Sequence, residues 1–180
     1  MNLAQITSMH SLQVIAKTSL LCAALGLLTA GCASKTPPAT RGKPVPWTVK
    51  FVKNTPDSVE VDIFGVNKLE DDYWRNKVRM DDYCKPNSDQ RQRVAGTAVR
   101  YSFYGNEGHV LEATDPKWKT WLDGACYELA IMAVMPAESP NPAADLRRAF
   151  LLLGKKEWPA KTIEVEIVRD GLKIKTPPRP

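Results

Sequence analysis

The chain has 180 residues, of which 43% are hydrophobic and 25% charged, with 25 Lys and Arg against 20 Asp and Glu. A formal net charge of +5 is too mild for a nucleic-acid-binding surface and leaves anionic lipid head groups as the electrostatic option. The length suits one domain able to bury an adequate core.

Taken in order, the chain begins with its most informative segment. Lys17 precedes an apolar stretch from Thr18 to Leu27, and Leu28-Thr29-Ala30-Gly31 leads into Cys32. A basic residue, a short apolar core and small residues before a cut mark an export signal. A transmembrane helix needs about 20 apolar residues. The uncharged run from Thr18 to Ser34 is shorter, contains Gly26, Thr29 and Gly31, and leads into a Pro-rich stretch. Small residues directly before Cys32 resemble the lipobox of bacterial lipoproteins. That resemblance implies that residues 1–31 are cut away and that Cys32 is acylated as the first residue of the mature chain. Both Met1 and Met9 are open as the start. Ala33, rather than Asp, follows Cys32, which in that family implies the outer membrane, facing the periplasm. One acyl chain binds a bilayer only marginally; the three chains of the lipoprotein modification imply a permanent anchor.

Lys17 is the only Lys, Arg, Asp or Glu in the first 31 residues, so the mature 149 residues carry +4. Cys22 lies in the signal core and Cys32 takes lipid. Cys84 and Cys126 remain, an even pair in an oxidising compartment, which predicts a disulfide. On the chain-entropy account such a bridge contributes about 4 kcal/mol. Neither a C-x-x-C nor a Cys/His pair supports metal or redox chemistry. Residues 33–46, ASKTPPATRGKPVP, are expected to form a semi-extended linker with a reach of about 40 Å at about 3 Å per residue.

The folded domain is expected over 47–176, with a Pro-rich tail at 177–180. Trp47 to Lys53 reads as a strand. In Ser58 to Val66, Val59, Val61 and Ile63 face one way, and Glu60 and Asp62 the other. Leu69 to Asn76 suits one or two helical turns. Thr97 to Tyr104 places Val99, Tyr101 and Phe103 on one side. Asp115, Pro116 and the spacing of Trp118, Trp121 and Leu122 predict one secure helix, stopped at Gly124. Glu128 to Met135 is an apolar run short enough for a central buried strand. Arg148 to Leu153 is a further strand. Ile163, Val165 and Ile167 alternate with Glu164 and Glu166, and Asp170-Gly171 reads as a two-residue hairpin turn into Leu172-Lys173-Ile174. The expected fold is mainly β: a single antiparallel β-sandwich with one short helix.

This order of segments, SVEVDIFGVNKLEDDYW, YELAIMAVM, RRAFLLL and LKIKTPP, is similar to the small lipoproteins of the type VI secretion membrane complex. The resemblance covers most of Val59 to Pro177. It implies a transthyretin-like sandwich hung from the outer membrane that holds the periplasmic end of an inner-membrane protein. The Trp-bearing helix and the Cys84/Cys126 pair depart from that pattern.

Candidate chemistry is sparse. His109 is the only His of the mature chain, and a Ser-His-Asp site with Ser102 has no G-x-S-x-G in support. A surface position suits His109 better. Glu70-Asp71-Asp72 and Asp81-Asp82 lack the spaced ligands of a Ca²⁺ loop. Paired carboxylates for glycoside hydrolysis occur in any acidic sequence. Arg147-Arg148 can hold a carboxylate or phosphate, though a solvated strand end is the commoner reading. Trp118 and Trp121, with Tyr127 beyond, are either a core stripe or a partner-binding face. No cofactor and no metal are expected. The function expected is a non-catalytic protein–protein interaction or tethering module. Its partners are the bilayer, through acylated Cys32, and a periplasmic or inner-membrane protein, with no nucleic acid. The alternatives are the type VI secretion anchor and a periplasmic enzyme or enzyme inhibitor.

Overall fold

Alternating apolar residues in the strands resolve into two packed sheets. The computed structural model describes residues 41–136 and 144–180; the signal segment and Cys32 lie outside the described residues. Among the described residues eight strands form, β1 (Thr48–Asn54), β2 (Val59–Val66), β3 (Val99–Phe103), β4 (Gly108–Leu111), β5 (Glu128–Val134), β6 (Arg148–Leu152), β7 (Thr162–Val168) and β8 (Gly171–Ile174). One sheet has the order β4-β1-β7-β8 and the other β3-β2-β5-β6. Val49 and Phe51, Val59, Val61 and Ile63, Leu129 and Ile131, and Ile163, Val165 and Ile167 meet between them in the main core. Each contributes about 1.5–3 kcal/mol by leaving water.

The mainly β, two-sheet expectation holds, with one correction to its pairing. β1 runs parallel to β7, from Thr48 opposite Thr162 to Asn54 opposite Val168; the other ladders are antiparallel. Alternation has the same period in both pairings, so the sequence carries no sign of which neighbour a strand takes. The last turn also shifts by one residue. Val168 pairs with Gly171, leaving Arg169 and Asp170 in the turn. Gly171 is needed for another reason. Its φ is +145°, and a Cβ there would lie 2.2 Å from the Leu146 carbonyl oxygen.

β5 is buried on both faces because a second layer covers the outside of its sheet. This layer holds a π-helical turn (Tyr73–Lys77), α1 (Met80–Tyr83) and α2 (Asp89–Val94). Trp74, Val78, Met80, Tyr83 and Val94 close over Phe64, Val66, Ala130 and Met132 as a second core. The helical turns expected within Leu69 to Asn76 overlap the π-helical turn, whereas α1 and α2 were not expected. α1 and α2 have four and six residues, too few to display a helical period. The expected helix is present as α3 (Lys117–Asp123). The Asp115 carboxylate accepts from the Lys117 N–H at 2.8 Å.

The Cys84–Cys126 disulfide is corrected: both residues are free thiols. Cys84 lies against the Ala133 carbonyl oxygen, near the end of β5. Cys126 lies just before the start of β5 and packs beside Gly65 and Trp121 in the main core. Seven residues of strand at about 3.3 Å each separate the two places, far beyond the reach of an S–S bond. The even count of cysteines carried no information about this geometry.

Residues 41–46 are held to the domain. The Val45 N–H donates to Leu153 and the Lys155 N–H to Lys43, both at 3.0 Å. The Arg41 guanidinium donates to the carbonyl oxygens of Arg179 and Pro180 at 2.8 and 2.6 Å. No helix among the described residues is long and apolar enough to cross a membrane.

Candidate functional site

Trp118 and Trp121 do not form a partner-binding face. Each is 2% exposed, and their rings meet edge to face at 5.2 Å in the main core. Their indole N–H groups donate to the Glu112 and Thr97 carbonyl oxygens at 2.9 and 3.0 Å. Satisfied donors and full burial make this a core stripe closing one end of the sandwich. Tyr127 is half-buried, with its hydroxyl buried and facing the Glu128 and Asp71 carboxyls.

His109 sits on β4 with its ring stacked on Tyr101, centroids 4.7 Å apart, and edge-on to Phe103. Its Nε2 lies 3.3 Å from the backbone oxygen of Ser102. That contact is with a carbonyl, so it activates no serine hydroxyl. The acidic runs are engaged in pairs. Asp71 holds Arg75, Asp72 accepts from Asn76, and Glu70 faces Arg93. Asp81 takes Arg147, and Asp82 takes Lys85. Among the described residues, no group of three or more His, Cys, Asp or Glu is placed to hold a metal ion. Arg147 is buried against Asp145 at 2.7 Å, and the Asp145 hydrogen bond raises its pKa further. Arg148 donates to the Trp74 and Val78 carbonyl oxygens at 3.2 and 3.0 Å. The Arg147-Arg148 pair is thus an internal brace, not a solvated strand end.

Two buried polar centres on the outer face of β2 and β5 escaped the sequence reading. Asp62 has no exposure, although alternation placed it toward solvent. Arg91 Nε and Arg100 Nε donate to its carboxylate at 2.7 and 2.5 Å, and the Tyr83 hydroxyl donates at 2.9 Å. Burial alone would raise the Asp62 pKa; the hydrogen bonds from Arg100 and Arg91 outweigh it and hold the carboxyl below its usual range. Glu128 is the second centre, buried beneath Arg75 of the π-helical turn. The outward face of β2 and β5 becomes internal only once residues 70–94 fold over it. Nothing local to Asp62 or Glu128 signals that.

Among the described residues, an open depression and a set of exposed apolar side chains are candidate partner surfaces. An open depression of about 400 Å³ is lined by Cys84 to Ser88, Arg91, Gln92, Ala95 and Arg100. Burial pushes the Cys84 thiol there above its usual range. Elsewhere, Leu69, Tyr104, Val110 and Leu146 are exposed large apolar residues. The strand registers put Tyr104, just after β3, and Leu146, just before β6, at the same end of the sandwich. The pinned residues 41–46 lie at the other end, beside the close of β6.

No family model matches the chain, and no curated protein matches it. Several solved structures are similar to it. The type VI secretion lipoprotein TssJ1 from Pseudomonas aeruginosa is similar at 12% identity and a TM-score of 0.43, over 75% of this chain and 99% of its own. The C-terminal domain of the type VI secretion protein TssM from EAEC is similar at 11% identity and a TM-score of 0.48, over 71% and 98%. Serratia marcescens Lip, a membrane-bound component of the type VI secretion system, is similar at 9% identity and a TM-score of 0.41, over 72% and 97%.

Proposed function

We propose that this chain is a lipid-anchored, non-catalytic tethering module of the bacterial envelope. The observation that carries the reading is Leu28-Thr29-Ala30-Gly31-Cys32 behind Lys17 and a short apolar core. Acylation at Cys32 holds the protein on the periplasmic face of the outer membrane, and the stretch after it gives the domain reach. Residues 41–46 meet the domain at one end, and Tyr104 and Leu146 stand exposed at the other. That second end is offered to a periplasmic or inner-membrane protein. Apolar and aromatic side chains there supply the anchors that protein interfaces use.

The narrower reading is an anchoring lipoprotein of a type VI secretion membrane complex. It is favoured by the order of the segments SVEVDIFGVN, YELAIMAVM, RRAFLLL and LKIKTPP. The enzyme reading requires a polar pocket around His109 or the acidic pairs. His109 lies between two aromatic rings, and the acidic side chains named above are engaged by cations and amides, which favours tethering. The test is a crosslinked pull-down from native membranes, comparing wild type with Cys32→Ser. Capture of one inner-membrane protein by the wild type, with loss of function in the unlipidated form, is expected. A Cys32→Ser form that still works and captures no partner would contradict the proposal.

A further inference from the structure

Glu128 has no exposure, and its side chain points with Ala130 and Met132 to the outer face of its sheet. Arg75 of the π-helical turn bonds both Glu128 and Asp71. One guanidinium therefore faces two carboxyls. If both were ionised, the enclosed group would carry a net negative charge, which burial strongly disfavours. Glu128 Oε1 is buried and receives no hydrogen bond. The buried Tyr127 hydroxyl faces both Glu128 and Asp71. A proton on Glu128 turns it into a donor toward Asp71 and leaves one carboxylate for one guanidinium.

We propose that a proton held on Glu128 and donated toward Asp71 forms, with Arg75, a proton-dependent latch that holds the helical cover on the sheet. The other groups around the latch are consistent with this. Tyr127, just before β5, is kept as a neutral phenol by burial and by the Glu128 and Asp71 carboxyls it faces; Val66 of β2 and Leu152 of β6 flank Glu128 and carry no charge. Arg148 of β6 stays cationic and grips the Trp74 and Val78 carbonyl oxygens of the cover; burial lowers its pKa, Asp145 opposes the fall and Arg75 adds to it. Glu70 at the start of the cover is paired outward with Arg93. Burial raises the Glu128 pKa to about 8; Arg75 opposes the rise and Asp71 adds to it. The proton is therefore retained at neutral pH and lost in mild alkali. Trp74 stacks on Phe64 at 4.7 Å under the cover, and Arg75 lies over the Phe150 ring. Opening the latch exposes that apolar face. This inference stands independently of the tethering proposal.

The sign follows from linkage. Glu128 binds its proton more tightly with the cover closed than with it open. Closure is unaffected by pH below the ordinary glutamate range and weakens up to tenfold per pH unit from there to about 8. The test is hydrogen exchange of the Trp74 and Val78 amides in the full chain between pH 5 and 8.5, with intrinsic exchange rates divided out. Wild-type protection is expected to fall by up to tenfold per unit, and Glu128→Gln to be flat. Asp71→Asn removes the neighbouring carboxylate and is expected to end the fall at a lower pH, with its onset unchanged. Flat wild-type protection, an unchanged slope in Glu128→Gln, or no shift in Asp71→Asn would each overturn the latch.

Discussion

Replacing Asp62 with Asn probes the strongest polar anchor between the sheet and its helical cover. The wild-type carboxylate is unexposed and accepts from Arg91, Arg100 and Tyr83. Asn keeps the shape, loses the charge, and turns one acceptor into a donor aimed at other donors. Removing one side of a buried charged pair costs about 3–5 kcal/mol. The low end applies here, because Arg91 keeps Glu60 at 2.5 Å and the Arg100 side chain is 44% exposed. About 3 kcal/mol is a large share of the total stability of a domain this size and lowers Tm by about 10 °C. The assay is urea unfolding followed by Trp fluorescence, read as a midpoint shift at unchanged slope. The cost must also depend on pH. The folded-state pKa of Asp62 is depressed, so its contribution is present above the ordinary Asp value of 3.8 and lost as pH falls through the folded value. Wild type and Asp62→Asn therefore converge in acid. A loss under about 1 kcal/mol at pH 7, or the same loss at pH 7 and in strong acid, would refute the reasoning, since surface ion pairs contribute about that little.

Further outcomes follow from the same geometry. Gly65→Ala places a Cβ 2.7 Å from Cys126 Sγ and 2.8 Å from Trp121; it is predicted to cost about 1–3 kcal/mol by overpacking, and a neutral result in thermal unfolding would contradict the packing. Trp118→Ala is predicted to lose about 3–5 kcal/mol, where a partner-facing Trp would lose little stability. Thiol titration of a fully denatured, non-reduced soluble domain is predicted to find both Cys84 and Cys126 reactive. In the folded state Cys126, with its thiol pushed to about 11 by burial, should be inert; no reactive thiol after denaturation would restore the disulfide. The double change Tyr104→Arg with Leu146→Asp is predicted to leave the melting temperature within a few degrees while lowering partner capture at least tenfold.

The legible parts of the fold were those in which one residue's neighbours in sequence share its environment. Val59, Val61 and Ile63 alternate into one core, and the run from Glu128 to Met135 is buried on both faces as its composition implies. Trp118 and Trp121 share a face, but a stripe reads alike whether it turns inward or outward. Only the positions of the Thr97 and Glu112 carbonyl oxygens settle its direction. Asp62 and Glu128 were illegible because their partners lie far along the chain: Arg91 and Arg100 for one, Asp71 and Arg75 for the other. The same non-locality hid the parallel β1–β7 ladder and the separation of Cys84 from Cys126.

The most direct test of the tethering account is the mass of the N-terminal peptide of the mature protein purified from membranes. The account predicts a peptide that begins at Cys32 and carries three acyl chains. A mature protein whose first residue lies elsewhere, or whose Cys32 is unmodified, would contradict it.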